Sequence, residues 1–176
     1  MVALLRGVNV GGTGQLAMAD LRRFAAELGY ADVSTYIQSG NLVLSTSVTS
    51  ASVAADLAAA IAASTSAKPA VLVRTRRQLA RAVAVNPFTA RGEDPAHLHV
   101  LFTDGAASSA LRPLDLPSYE PEEAEAIGSE VFLLLPGGVG RSRLATDIGR
   151  GTGINGTMRN WRTVTKLLDM AEQIEV

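Results

Sequence analysis

Three short polar stretches hold the side chains best suited to chemistry: Arg6-Gly-Val-Asn-Val-Gly-Gly12, Tyr36-Ile-Gln-Ser-Gly-Asn41 and Thr157-Met-Arg-Asn-Trp161. Arg6, Asn9, Gln38, Ser39, Asn41, Arg159 and Asn160 supply amide, hydroxyl and guanidinium hydrogen bonds, which are directional and suit a polar or anionic ligand. Gly11 and Gly12 add backbone that can approach a ligand closely. These nine residues form the candidate ligand-binding set. None of the three stretches contains a nucleophile paired with a base, so no catalytic residue, reaction or cofactor is assigned.

Gly11 to Gly14 lies between an apolar run and a helical pattern, the position at which backbone N–H groups and a helix dipole hold a phosphate. The Lys-Ser/Thr pair of a Walker loop is missing. Gly12-x-Gly14-x-x-Ala17 fits the dinucleotide fingerprint in form. The strands that follow read as a hairpin, however, where that fingerprint needs a parallel crossover. His97 and His99 are the only histidines, and no metal is expected because no carboxylate completes the pair. Glu122, Glu123 and Glu125 read as a solvated edge.

The elements that must position these groups follow from apolar spacing. Residues 2–5 form a buried strand, and Leu21, Phe24, Ala25 and Leu28 recur at helical spacing up to Gly29. Val33 to Ile37 and Leu42 to Leu44 flank Ser39-Gly40-Asn41 as a hairpin. Ser50 caps a second helix carrying Val53, Leu57 and Ile61, and Val71 to Val73 is a strand. This is the β-α-β-β-α-β order of a ferredoxin-like (split βαβ) half. Thr75-Arg-Arg-Gln78 reads as a capping box.

The rest of the chain reads β-α-β-β-α, an incomplete copy. Its last helix is predicted over about Met158–Gln173, with Thr157 as N-cap, Arg159 in the first turn and Trp161 in the apolar stripe. The expected class is therefore α+β with two tandem ferredoxin-like halves. The halves are placed at 1–85 and 86–176, packed as two subdomains or as one compact domain.

Composition narrows the partners. The chain has 176 residues, 47% of them apolar, a net charge of −1 and no cysteine. It can bury a core, and it has no disulfide or thiol chemistry. The charge balance gives no global attraction to nucleic acid or an acidic membrane. No apolar run is long enough for a membrane span, and the N-terminus does not read as a signal peptide. A cytoplasmic protein is expected.

Residues 136–163 carry five Arg against one Asp, which suits an anion-binding loop or a solvated face. The two central strands of the first half contain no aromatic residue, which disfavours base stacking of the RNA-recognition type. Three readings result. The first is a module that binds a polar anionic small molecule. The second is a nucleic-acid binder using Arg74 to Arg81 and the 136–163 stretch. The third is a structural or interaction protein, with homodimerisation through a sheet edge compatible with the sequence.

The pieces Leu4-Leu-Arg-Gly-Val-Asn-Val-Gly-Gly12, Met18 to Gly29, Val33-Ser-Thr-Tyr-Ile-Gln-Ser-Gly-Asn-Leu-Val43 and Thr157-Met-Arg-Asn-Trp-Arg-Thr-Val164 resemble the bacterial domain-of-unknown-function-1697 family. The resemblance implies two ferredoxin-like halves and no particular activity. Members often carry Lys in the loop after Gly-Gly, where this chain has Thr13-Gly14-Gln15. That departure weakens a phosphate-binding role for the loop.

Overall fold

A computed structural model describes residues 1–9, 14–151 and 155–174. The elements are β1 (Val2–Arg6), α1 (Met18–Glu27), β2 (Ala31–Thr35), β3 (Asn41–Ser45), α2 (Ser50–Ser64), β4 (Ala70–Arg74), α3 (Arg76–Ala84), α4 (Pro87–Ala90), β5 (Leu98–Thr103), α5 (Ser108–Leu111), β6 (Glu123–Ile127), β7 (Glu130–Leu134), α6 (Arg143–Gly151), β8 (Gly156–Asn160) and α7 (Trp161–Glu172). Short 3-10 turns occupy Leu116–Tyr119 and Val139–Arg141. The strands make two four-stranded sheets, ordered β2-β3-β1-β4 and β6-β7-β5-β8. Both orders are those of a ferredoxin-like half, so the expected α+β class with two such halves is what the chain adopts.

Packing divides the chain into one unit of Met1–Ala80 with Lys166–Val176 and another of Arg81–Thr165. The sequence reading drew one boundary at 85 and kept the whole C-terminal helix with the second half. Packing instead places the later part of that helix in the first unit.

In the first unit, Met18, Leu21, Phe24 and Ala25 of α1 and Val53, Leu57 and Ile61 of α2 are buried. They form one core with Ala3, Leu5, Leu42 and Leu44. Alternation in a strand sends neighbouring side chains to opposite faces. Val2, Leu4, Asn41 and Val43 therefore lie on the other face of the sheet, and all four are buried as well. Two caps carry the sequence logic into local structure. Thr75 and Gln78 exchange reciprocal bonds of 2.8 and 3.1 Å, the predicted capping box. The α2 cap is Thr49, which accepts from Ser52 N at 3.2 Å, so the expected Ser50 is the first helical residue instead.

In the second unit Leu101, Val131, Leu133, Leu144 and Ile148 form a separate core. Here the expected order changes. The Thr157–Asn160 segment is strand, and β8 pairs antiparallel with β5 from His99↔Asn160 to Thr103↔Gly156. The second half is thus a complete β-α-β-β-α-β copy. Its fifth element, α6, falls within the 136–163 stretch whose charge suits an anion-binding loop or a solvated face.

Candidate functional site

The first polar stretch begins where β1 ends. Gly7 (φ +79°) and Asn9 (φ +55°) turn the chain sharply, and Asn is among the few residues that accept this left-handed conformation readily. Asn9 is then fixed by its own amide. Its Nδ2 donates to Leu16 O at 2.9 Å and to Gln38 O at 2.8 Å, while its Oδ1 accepts from Leu16 N at 2.9 Å. The same residue closes the loop on itself and ties it to the β2–β3 turn. At Gly14 (φ +64°) an added Cβ would collide with Gly7 O, so the two ends of the loop touch backbone to backbone. Gly11 and Gly12 lie outside the described residues.

The second stretch is the β2–β3 turn. Gly40 O accepts from Leu5 N at 2.8 Å, and a Cβ on Gly40 would meet Val8 Cγ2 at 2.6 Å and Leu5 Cβ at 2.8 Å. Asn41 has 0% exposure. Its Nδ2 donates to Tyr36 O at 3.0 Å and Ser39 Oγ at 2.9 Å, which holds the turn closed. Ile37 has φ +49° and is 50% exposed. A β-branched residue in that conformation is strained, and here it is also turned toward water.

Register settles how Arg6 relates to this turn. Leu4 pairs with Asn41, so Arg6, two residues on, lies on the sheet face that carries Asn41. Arg6 and Gln38 are exposed. Among the described residues, neither side chain has a hydrogen-bond or ion-pair partner. The structure thus brings Arg6, Asn9, Gln38, Ser39 and Asn41 to one junction and divides their labour. The Asn9 amide is spent on backbone and the Asn41 amide on Tyr36 O and Ser39 Oγ, whereas Arg6 and Gln38 have donors to offer.

The second unit repeats the join in simpler form. Thr103 N donates to Ser129 O at 2.9 Å, as Leu5 N does to Gly40 O. The single Thr103 Oγ1 proton is shared between the same carbonyl at 2.9 Å and Gly105 O at 2.7 Å. A threonine here, with Ala107 N donating to Gly128 O at 3.0 Å, performs the loop-to-turn stapling that Asn9 performs in the first unit.

The third stretch departs from its expected geometry. Thr157 is a strand residue and caps no helix. Arg159 sits on β8, opposite Val100, with 8% exposure. Its Nη1 donates to Thr157 Oγ1 at 2.7 Å and Met158 O at 2.8 Å. Burial pushes its pKa down to about 10, because removing a cation from water disfavours the charged form. Asn160 is the actual N-cap of α7, its Oδ1 accepting from Thr163 N at 2.8 Å. Trp161 is buried, as its place in the apolar stripe predicts.

His99 is buried on β5 with Nδ1 3.4 Å from His97 O, and burial lowers its pKa below the ordinary value of 6.5. Among the described residues no group of three or more His, Asp or Glu is placed to hold a metal ion. Nor is any described helix long and apolar enough to cross a membrane.

The family model described as "Protein of unknown function (DUF1697)" matches residues 1–132. The chain belongs to the DUF1697 family. That match takes in the loop and turn of the first unit and stops before β8. No curated protein matches this DUF1697 chain. A solved structure, described as the conserved bacterial protein SP0830 from Streptococcus pneumoniae, is similar to it at 22% identity and a TM-score of 0.73, covering 97% of each chain. At that identity the likeness carries the fold of both halves.

Sequence reasoning overlooked two features. One is the loop-to-turn bond from Asn9, whose only sequence signal is an Asn between glycines. The other is the set of side chains around Tyr119 and Arg143, of which the sequence offers only the arginine count over 136–163 and the Glu122, Glu123 and Glu125 edge.

Proposed function

We propose that this protein binds a small polar anionic molecule, carrying a phosphate or carboxylate, at the junction of the β1–α1 loop and the β2–β3 turn. Arg6 supplies the charge-assisted bonds, Gln38 and Ser39 supply neutral ones, and Gly11 and Gly12 belong to the same loop. Asn9 and Asn41 hold the backbone in the required shape. Arg159 and Asn160 leave the recognition set: Arg159 is buried with its guanidinium bonds made inside the protein, and Asn160 is spent as a helix cap.

The observation that carries this reading is the exposed Arg6 guanidinium, with no partner among the described residues, beside two loops locked together through Asn9. Strain at Ile37 adds to it, since sparsely populated backbone conformations cluster at ligand sites. The comparison between halves supports it further: the corresponding join in the second unit is made by Thr103 and by Ala107 N, which donates to Gly128 O at 3.0 Å, in place of an asparagine amide. No reaction is assigned, because among the described residues the junction contains no nucleophile beside a base.

Nucleic acid is the competing partner. Arg74 and Arg159 are buried, which removes two of the arginines that reading would use. The test is a thermal-shift and calorimetric panel of nucleotides, sugar phosphates, carboxylates and short oligonucleotides at two salt concentrations. Stabilisation by one small-molecule class, abolished in Arg6→Ala with folding intact, supports the proposal. Binding by oligonucleotides alone, falling steeply with salt, would replace it with the nucleic-acid reading. Equal responses from wild type and Arg6→Ala would remove Arg6 from the site.

A further inference from the structure

A second set of polar groups lies wholly within the second unit, in a cleft of about 310 Å³. Its lining includes Tyr119, Glu120, Pro121, Pro136, Arg141 and Arg143. The volume falls at the lower end of small-molecule sites, which start at roughly 300 Å³.

Arg143 is the fixed group here. Its Nη2 donates to Ser118 O at 2.6 Å, with Ser118 Oγ at 3.3 Å. Its guanidinium carbon stands 4.7 Å from the centre of the Tyr119 ring, within reach of a cation–π attraction. Tyr119 is held in turn, its hydroxyl donating to Asp147 Oδ2 at 2.9 Å.

The absence of a carboxylate on Arg143 is informative because acids are close at hand. Residues 114–130 carry six acids and no basic residue. Glu122, which lines the same cleft, is turned to the start of α6, where its Oε2 accepts from Leu144 N at 2.9 Å. Ser142 Oγ accepts from the next amide, Ala145 N, at 2.8 Å. The helix terminus is thus already satisfied and is not the attraction. What remains is an oriented guanidinium with Nε and Nη1 uncommitted among the described residues, and an exposed Arg141 likewise without a partner. A guanidinium held by one carbonyl and one ring keeps its planar fork for an incoming pair of oxygens. Pro121, Pro136 and the Tyr119 ring give one wall of the cleft an apolar character, while Ser118, Glu120 and Glu122 keep the remainder polar.

We propose that this cleft is a second binding site, for a small molecule whose single terminal oxyanion meets Arg143 and Arg141 and whose compact ring or aliphatic body lies along Pro121 and Pro136. It stands on observations independent of the Arg6 junction. The oxyanion can be a carboxylate or a phosphate monoester, the chemistry both share being two oxygens presented to a guanidinium.

The test uses the full chain, labelled with ¹⁵N and titrated separately with benzoate and phenyl phosphate to about 10 mM, where a weak fragment-like site of millimolar Kd is well occupied. The expected result is a saturable shift of the Gly137, Gly138 and Leu144 amide signals, with affinity reduced about tenfold in Arg143→Lys, which keeps the charge and loses the fork. Arg141→Gln, at an exposed position, is expected to weaken the same shifts with the fold intact. A response to one probe only fixes which oxyanion the cleft takes and sustains the proposal. Shifts confined to Val8 and Gly40 would support the Arg6 junction and overturn the cleft. Cleft shifts of equal midpoint in wild type and both variants would overturn it as well.

Discussion

Replacing Asn9 tests the structural half of the site argument most directly. Three side-chain bonds of 2.8 to 2.9 Å leave its amide, two to Leu16 and one to Gln38. A net bond contributes about 0.5–1.5 kcal/mol. The bond to Gln38 is solvent-exposed and belongs at the low end, so the three together contribute about 2 kcal/mol. The backbone adds a second cost. At φ +55° an alanine has no side chain that bonds locally, and the left-handed region costs it about 1 kcal/mol or more.

Asn9→Ala is therefore expected to lower unfolding stability by about 3 kcal/mol, and Asn9→Gly, free of the backbone cost, by about 2 kcal/mol. Urea denaturation of both variants reads these values, and an unchanged m-value would show that the unfolded reference has not moved. Hydrogen exchange at the Leu16 amide gives the local readout, since its acceptor is Asn9 Oδ1. A loss below about 1 kcal/mol in Asn9→Ala, or an unchanged Leu16 exchange rate, would refute the account of Asn9 as the staple between loop and turn.

Three further outcomes follow from the same geometry. Gly40→Ala brings a Cβ to 2.6 Å from Val8 Cγ2 at a positive φ, and is expected to destabilise by more than about 2 kcal/mol in denaturant melts. His99 has a folded pKa depressed by burial, so the unfolded chain binds the proton first as pH falls. Stability should then decline as pH drops below 6.5 toward the folded pKa, with a limiting slope of about 1.4 kcal/mol per pH unit, and His99→Gln should flatten that decline in melts recorded from pH 7 to 5. Tyr30 donates to Asp56 Oδ2 at 3.0 Å and burial pushes its pKa up to about 12. Tyr30→Phe should cost about 1 kcal/mol at neutral pH and remove the part of the alkaline stability loss that begins where an unfolded tyrosine ionises.

The first half of the fold was legible because its signals are local. The α1 and α2 stripes, the Thr75–Gln78 box and Gly40 at the β2–β3 turn each act over a few residues, and the observed strand order follows from them. The second half was legible only in part. Thr157-Met-Arg-Asn reads equally as a helix start or a strand, and the decision comes from pairing with β5, more than fifty residues earlier in the chain. No window of sequence contains that contact.

The site shows the same division. Arg6, Asn9, Gln38 and Asn41 were selected by residue type and by their place at element ends. Which amides would be consumed by backbone carbonyls depends on a loop and a turn meeting in space. Arg159 illustrates the limit: an arginine near a helix start suggests an anion site, and only the strand register reveals it as buried. The Arg143–Tyr119 pair was invisible because the two residues lie in stretches of opposite net charge whose totals conceal a single contact.

The division of the chain into its two units also has a consequence for the order in which the protein can be completed during synthesis. The first unit takes Lys166–Val176 as its last part, and Leu167, Leu168 and Ala171 of that segment are buried. A ribosome adding about 5–20 residues per second reaches that segment roughly 4 to 17 seconds after Ala80. The second sheet waits almost as long, since its edge strand β8 precedes α7 directly. Neither half can therefore finish before β8 and α7 have been made. Nascent chains arrested before residue 156 should expose apolar surface from both halves to chaperones and proteases, and protection should arrive for both once β8 and α7 have been added.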